Sequence, residues 1–268
     1  MIYILLPVFN EDAHIQKLLE GIRQALSGES FKIVVVNDGS TDRTVEIVRE
    51  LNFNEVRVIS HNINLSIGAV YQTGILNIIK NAEDEDIIVI MESDLTSPPD
   101  VIKTILKATF EQKLDLVIAS RYKNKGGYKN FSWMRLIYSK SANLLMRYWF
   151  PIQNVRDYTI FFRGYRVSLL KNVFSYFGHH NCLQTRGFVS NTELLVKCSL
   201  FTDQIGEIPF IYDYAAKHNA SKLRVFWTII EYFSFLFFMK GIIRKIRLRG
   251  ELSNGSLSKN NPLKKYKY

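Results

Sequence analysis

Two cysteines, Cys182 and Cys198, are all that the 268 residues contain. They form no C-x-x-C pair and no zinc-finger spacing, so they read as reduced thiols rather than a disulfide framework or a metal site. His179-His180 lie close to Cys182, but no second ligand cluster accompanies them, and the stretch reads as a loop. No G-x-G-x-x-G follows the first apolar run, which argues against dinucleotide-dependent hydride transfer. No G-x-x-x-x-G-K-[ST] occurs, which argues against a P-loop protein. Met1-Ile2-Tyr3 enters an apolar run ending at Pro7 without a basic leader or a small-residue cleavage site, so a cytoplasmic chain is expected.

Positive charge is plentiful but unevenly placed. The formal net charge is +10. Eight Lys or Arg lie between Arg244 and Tyr268, against one acid, Glu251. A basic tail can meet nucleic acid or an anionic membrane. The preceding segment, VFWTIIEYFSFLFFMKGII from Val225 to Ile243, favours the membrane. It is apolar and aromatic, yet Glu231 and Lys240 interrupt it, so it reads as a helix lying in the membrane interface rather than a spanning one. Each tail Lys or Arg near an anionic surface adds about 1 kcal/mol. The alternative is a core helix followed by a solvated tail.

Five apolar runs read as strands: Ile2–Leu6, Lys32–Val36, Val56–Ser60, Ile87–Met91 and Leu114–Ala119. Helical spacing joins Ile15, Leu18, Leu19 and Ile22, and again Val45, Val48 and Leu51. Ser40 or Thr41 is placed to cap the second helix, with Asp42 in its first turn. Pro98-Pro99 suits the start of a helix running to about residue 111. Strands alternating with helices predict an α/β fold with a mostly parallel central sheet and helices on both faces. Ligands of such sheets bind at the carboxyl ends of the strands. Three polar clusters follow three strands there: Pro7 to Glu11, Asn37 to Asp42, and Glu92-Ser93-Asp94. One crevice then collects Glu11, Asp38, Glu92 and Asp94. Mutual repulsion among four acids calls for a cation, most simply a hydrated divalent one with a polyphosphate ligand.

These residues resemble a known family. LPVFNE (Leu6–Glu11), VNDGSTD (Val36–Asp42) and the carboxylate-x-Asp after the fourth strand look like family 2 glycosyltransferases of the GT-A fold. The detail is closer to the dolichol-phosphate mannose synthase, or polyprenyl-phosphate glycosyltransferase, branch. SDLTSPPD, ASRY (Ala119–Tyr122), MRLIYSKSANLL (Met134–Leu145), RDYTIFFRGYR (Arg156–Arg166) and EIPFIYDYAAKHNASKL (Glu207–Leu223) follow in that branch's order. Several positions depart from the pattern. Glu92 replaces an Asp, Thr96 a Gln and Ser66 a Gly, and Ala216 stands where the family has a phosphate-binding Arg, with Lys217 adjacent. On this resemblance residues 1–223 form the catalytic domain, with an inserted amphipathic helix at about 130–150. Residues 224–268 form a membrane-proximal helix and basic tail.

The resemblance implies an inverting, metal-dependent transfer of a sugar from a GDP- or UDP-linked donor to a polyprenyl phosphate, by a protein held peripherally at the inner face of the membrane. No nucleic acid is involved. Charge builds on the leaving diphosphate, so a cation, Mg or Mn, is needed there. Asp94 is the expected metal ligand and Glu92 a second ligand or donor contact, with Ser93 beside them. Pro7, Phe9, Glu11, Val36 and Asp38 are expected to line the nucleoside pocket, and Arg121 and Lys222 to clamp phosphates. Arg135 is placed to hold an acceptor phosphate. A phosphate acceptor, with its second pKa of about 6, needs little help from a base. A hydroxyl acceptor needs one, and Asp157 is the candidate. The absence of Gln-x-x-Arg-Trp argues against a processive polysaccharide synthase. Transfer to a saccharide or other hydroxyl, and sugar-nucleotide binding without turnover, are the alternative readings.

Overall fold

The computed structural model describes residues 1–216 and 225–248, with a two-stranded ladder at Leu252–Ser253 and Ser256–Leu257. Lys217, Lys222 and, apart from that ladder, the tail beyond Leu248 lie outside the described residues.

Continuous apolar runs with β-branched residues make the central strands, and these are buried on both faces. β1 (Ile2–Val8), β2 (Phe31–Asn37) and β4 (Ile87–Ile90) are almost wholly enclosed, whereas β3 (Val56–Ser60) lies at the edge and is half-exposed. β5 (Leu116–Ser120), β7 (Arg163–Arg166) and β8 (Ile205–Pro209) complete a seven-stranded sheet in the order β3-β2-β1-β4-β7-β5-β8. β7 alone runs antiparallel, pairing with β4 on one side and β5 on the other. β6 (Gly127–Lys129) pairs with β9 (Ile211–Asp213) in a separate small ladder.

Eight helices are described: α1 (Ile15–Ala25), α2 (Thr44–Glu50), α3 (Ser66–Ile79), α4 (Val101–Glu111), α5 (Trp133–Trp149), α6 (Val167–Phe177), α7 (Val189–Cys198) and α8 (Val225–Leu248). α1 buries Ile15, Leu18, Leu19 and Ile22, as their spacing predicts. α4 packs close over β7, because a Cβ on Gly164 would meet Ile105 at 2.3 Å. The cap expected for α2 differs. Asp42 Oδ1 accepts from the Thr44 amide at 3.0 Å, while Ser40 and Thr41 bond Asn10 across the crevice instead. The Ser40 hydroxyl accepts from the amide of the neighbouring loop rather than from the helix end, and Thr41 joins that loop through its backbone amide.

α5 occupies Trp133–Trp149, between β6 and β7 in the chain. α5 and α8 expose large apolar side chains: Trp133 70%, Leu144 70%, Trp227 63% and Phe237 70%. The two helices meet where the Trp149 and Phe237 rings lie 6.2 Å apart and Lys240 Nζ sits 3.4 Å from the Trp149 centroid. Among the described residues no helix is long and apolar enough to cross a membrane.

Candidate functional site

Parallel β1, β2, β4 and β5 end on one edge of the sheet, and their following loops meet there. β7 runs the other way, so the residues that precede it, Arg156 to Thr159, reach the same edge. That single reversal adds a fifth chain segment to the crevice.

The first two loops are stitched together. The Asn10 amide donates to Ser40 Oγ at 2.9 Å, and the Thr41 amide to Asn10 Oδ1 at 2.8 Å. Glu11 is buried, with its amide bound to Thr44 Oγ1 and its carboxylate 3.1 Å from His14 Nδ1. Asp38 is buried too. Oδ1 meets His61 Nδ1 at 2.8 Å and the Leu65 amide at 2.9 Å; Oδ2 accepts from the Ser66 amide at 2.9 Å. Asp38 therefore holds the turn into α3. Ser66 in that turn has φ 73°, a region that favours glycine. Pro7 and Phe9 are partly exposed at the rim. Val36 is fully buried and its side chain faces Gly74 of α3, so only its backbone borders the crevice.

At the end of β4, Ser93 Oγ donates to the Pro7 carbonyl at 2.7 Å, tying this loop to β1. Leu95 adopts φ 63°, and the tight turn brings two hydroxyls onto the two acids. Thr96 Oγ1 donates to Asp94 Oδ1 at 2.5 Å, and Ser97 Oγ donates to Glu92 Oε2. Burial and then the Asp94 charge push the Glu92 carboxyl up to about 7, against the pull of Ser97 and Arg121.

Arg121, just past β5, meets the loop before β7. Nε donates to Asp157 Oδ2 at 2.8 Å, Nη2 to Asp157 Oδ1 at 2.7 Å and to Thr159 Oγ1 at 2.6 Å. Asp157 is fully buried and also accepts from the amides of Arg121 and Ile160. Burial pushes its pKa up, but the Arg121 guanidinium outweighs this and holds it below the usual carboxylate range. The Tyr122, Tyr128 and Tyr212 rings surround the guanidinium with centroids 5.3–5.8 Å away. Tyr212, on β9, is close enough to Glu92 and Asp94 that, after burial, both acids raise its pKa. Arg135 is partly exposed on α5 and stacks on Tyr214 at 4.7 Å.

The structure thus brings together Glu92, Asp94, Arg121 and Asp157, with Asp38 and Glu11 along the same edge. Arg135 is connected indirectly, through Tyr214 and Phe131, whose ring packs on Tyr128 and Tyr212. Lys222 lies outside the described residues. Sequence reasoning missed Tyr128, Thr159 and Tyr212, which reach the site through the β6–β9 ladder and the antiparallel β7. No local motif announces such pairings.

The sequence model described as glycosyl transferase family 2 matches residues 3–174. Dolichol-phosphate mannosyltransferase of Pyrococcus furiosus is 30% identical over 251 residues, covering 93% of this chain and 64% of that protein. Polyprenol monophosphomannose synthase of Mycolicibacterium smegmatis is 28% identical over 173 residues, covering 63% of each. The chain therefore spans under two thirds of the length of these relatives. Among solved structures, glucosyl-3-phosphoglycerate synthase of Mycobacterium tuberculosis in complex with Mn2+, UDP-glucose and phosphoglyceric acid superposes with a TM-score of 0.60 at 16% identity, covering 86% of this chain and 76% of that one. A likeness at that identity shows the shared fold, in keeping with the GT-A architecture expected above.

Proposed function

The chain belongs to glycosyl transferase family 2, and from that premise we propose that it transfers a sugar from a nucleoside-diphosphate donor to a polyprenyl phosphate at a membrane surface. The observation that carries this reading is the double role of α5. One face, with Ser139 and Asn143, bonds Tyr122 and Thr159 beside Arg121. The opposite face bares Trp133, Ile137, Leu144 and Tyr148. A helix that borders the site and also offers an apolar surface suits an acceptor with a charged head and a lipid tail. α8 extends that surface, with Lys240, Arg244 and Lys245 exposed along it.

Glu92 and Asp94 are the residues that would hold a divalent cation. Among the described residues no cluster of three or more His, Cys, Asp or Glu could hold a metal alone. Mg2+ commonly takes one or two carboxylates and completes its shell with water and substrate phosphates, so a two-acid site fits a cation shared with the donor diphosphate. Burial first and the Asp94 charge second raise the Glu92 pKa, so a cation bound between the two acids would favour the charged form of Glu92. When bound, the cation would offset the charge that develops on the leaving diphosphate. Arg121 supplies a fixed positive charge on the same side.

For the attack itself the acceptor phosphate is largely ionised at neutral pH and brings its own nucleophile. Asp157 is bound on both oxygens and has its pKa depressed, which suits a reaction needing no protein base.

The test is nucleotide release from a panel of GDP- and UDP-sugars with Mg2+ or Mn2+, with and without short-chain polyprenyl phosphate. Lipid-dependent release that Asp94→Ala lowers by at least about 10²-fold is the expected result. Release that ignores the lipid and responds to a saccharide would replace this reading with transfer to a hydroxyl. Saturable nucleotide binding without release would replace it with a sugar-nucleotide binder.

A further inference from the structure

Asn143 is a buried amide on a helix whose other face is bare, and its bonds do not serve the helix alone. Its Oδ1 accepts from the Tyr158 amide at 2.6 Å, and its Nδ2 donates to Thr159 Oγ1 at 3.1 Å and to the Ser139 carbonyl at 2.8 Å. Thr159 Oγ1 also accepts from Arg121 Nη2 at 2.6 Å and lies 3.4 Å from Asp157 Oδ1. One hydroxyl therefore touches the helix, the guanidinium and the carboxylate that grips it. From below, Glu207 Oε1 accepts from the amides of Arg156 and Asp157 at 2.7 and 2.8 Å and fixes the loop backbone. From above, Ser139 Oγ meets the hydroxyls of Tyr122 and Tyr128, whose rings flank the guanidinium.

An arginine gripped along its Nε–Nη2 edge has one orientation left. Among the described residues no acceptor meets Nη1, and that nitrogen remains for a ligand. We propose that Asn143, Thr159 and Asp157 are positioning residues that couple the seating of α5 to the orientation of Arg121, so that the Nη1 edge faces the phosphates only when α5 is docked. This assigns Asp157 to holding Arg121 rather than to proton transfer. It makes Thr159 the joint between the acceptor helix and the catalytic edge, and it rests on the phosphate-acceptor reading above.

The experiment pairs turnover with a signal that needs no turnover. Thr159→Val keeps the shape and removes the hydroxyl; Thr159→Ser restores it. Asn143→Asp keeps the acceptor for Tyr158 and removes the donor to Thr159. Lipid-dependent turnover is measured for each, together with solvent exchange of the Arg121 Nε–H resonance, identified by its loss in Arg121→Lys. The expected result is a fall in kcat of about 10²-fold for Thr159→Val, with donor KM within about twofold and recovery in Thr159→Ser. Faster Nε–H exchange is expected in both Thr159→Val and Asn143→Asp. Thr159→Val turning over like the parent, or failing to recover in Thr159→Ser, would overturn the proposal. A parent protein inactive with every donor and acceptor would sink the functional reading alone. The exchange signal then decides, and a rate unchanged in both variants overturns the positioning role.

Discussion

Glu92 carries a stability cost that depends on pH. Its folded carboxyl titrates at about 7 because burial and Asp94 disfavour the charge. The unfolded chain loses that proton at an ordinary carboxylate pKa, so the folded state binds more protons between roughly pH 4.5 and 7. Stability therefore falls across that window and stays lower above it. Glu92→Gln removes the titration. Without divalent cation, chemical denaturation should find the variant more stable than the parent by about 3 kcal/mol at pH 8 and equal to it near pH 4.5. A difference independent of pH would assign the cost to another group. Ser66 is a second strained position, at φ 73° in the region that favours glycine. An L residue there costs about 1–2 kcal/mol, partly offset by the unfolded-state entropy of glycine. Ser66→Gly should raise stability by about 0.5–1 kcal/mol, since the amide that Asp38 binds is kept. A lower melting temperature would show that the serine hydroxyl matters more than the strain.

Among the elements, α8 shows why an acid interrupts an aromatic helix. Glu231 Oε1 accepts from the amides of Arg186 and Gly187 at 3.0 and 2.8 Å, at the entrance to α7. A carboxylate on unpaired amides next to a helix N-terminus is a favourable arrangement. Gly187 leaves room for it, because a Cβ there would meet Glu231 at 2.4 Å. The buried stripe of Tyr232, Phe235, Leu236 and Met239 then lies against the domain. Glu231→Ala removes the acceptor and should cost about 1–2 kcal/mol, with the site partly open to water. Hydrogen exchange should localise the loss to α8 and to residues 186–187. Protection unchanged in α8 would mean that the apolar stripe alone seats the helix. From the sequence, Glu231 argued against a spanning segment; its docking partner lies 44 and 45 residues away and no periodicity points to it.

At the scale of the molecule, the exposed apolar faces of α5 and α8 predict vesicle binding. Leu144→Ser with Trp133→Ser removes two side chains that are each 70% exposed and carry little of the fold. Each side chain buried in lipid contributes about 1.5–3 kcal/mol, so affinity for anionic vesicles should fall by more than about tenfold with the melting temperature unchanged. Equal binding by parent and variant would remove membrane contact from the proposed function. Much of the architecture was legible beforehand. Val56–Ser60 matches its strand, and β1, β2, β4 and β5 differ from their runs by one or two residues at an end, because a parallel strand buried on both faces must be a continuous apolar run. The acids at the strand ends were legible for a related reason, since buried runs that stop abruptly at carboxylates mark the binding edge of such a sheet. β7 is different. RGYR has no strand-like pattern, and its place between β4 and β5 arises from pairing with both neighbours and from Gly164 letting α4 approach. The partner of Arg121 was hidden in the same way. Arg121 and Asp157 are 36 residues apart, and only the reversed direction of β7 brings the latter to the catalytic edge. The sequence by itself determined which residues are buried and which chemistry gathers at the strand ends, because burial and strand period are local properties of the chain. Tertiary structure alone decided which charges neutralise one another, because an ion pair depends on where two distant segments are carried by the sheet.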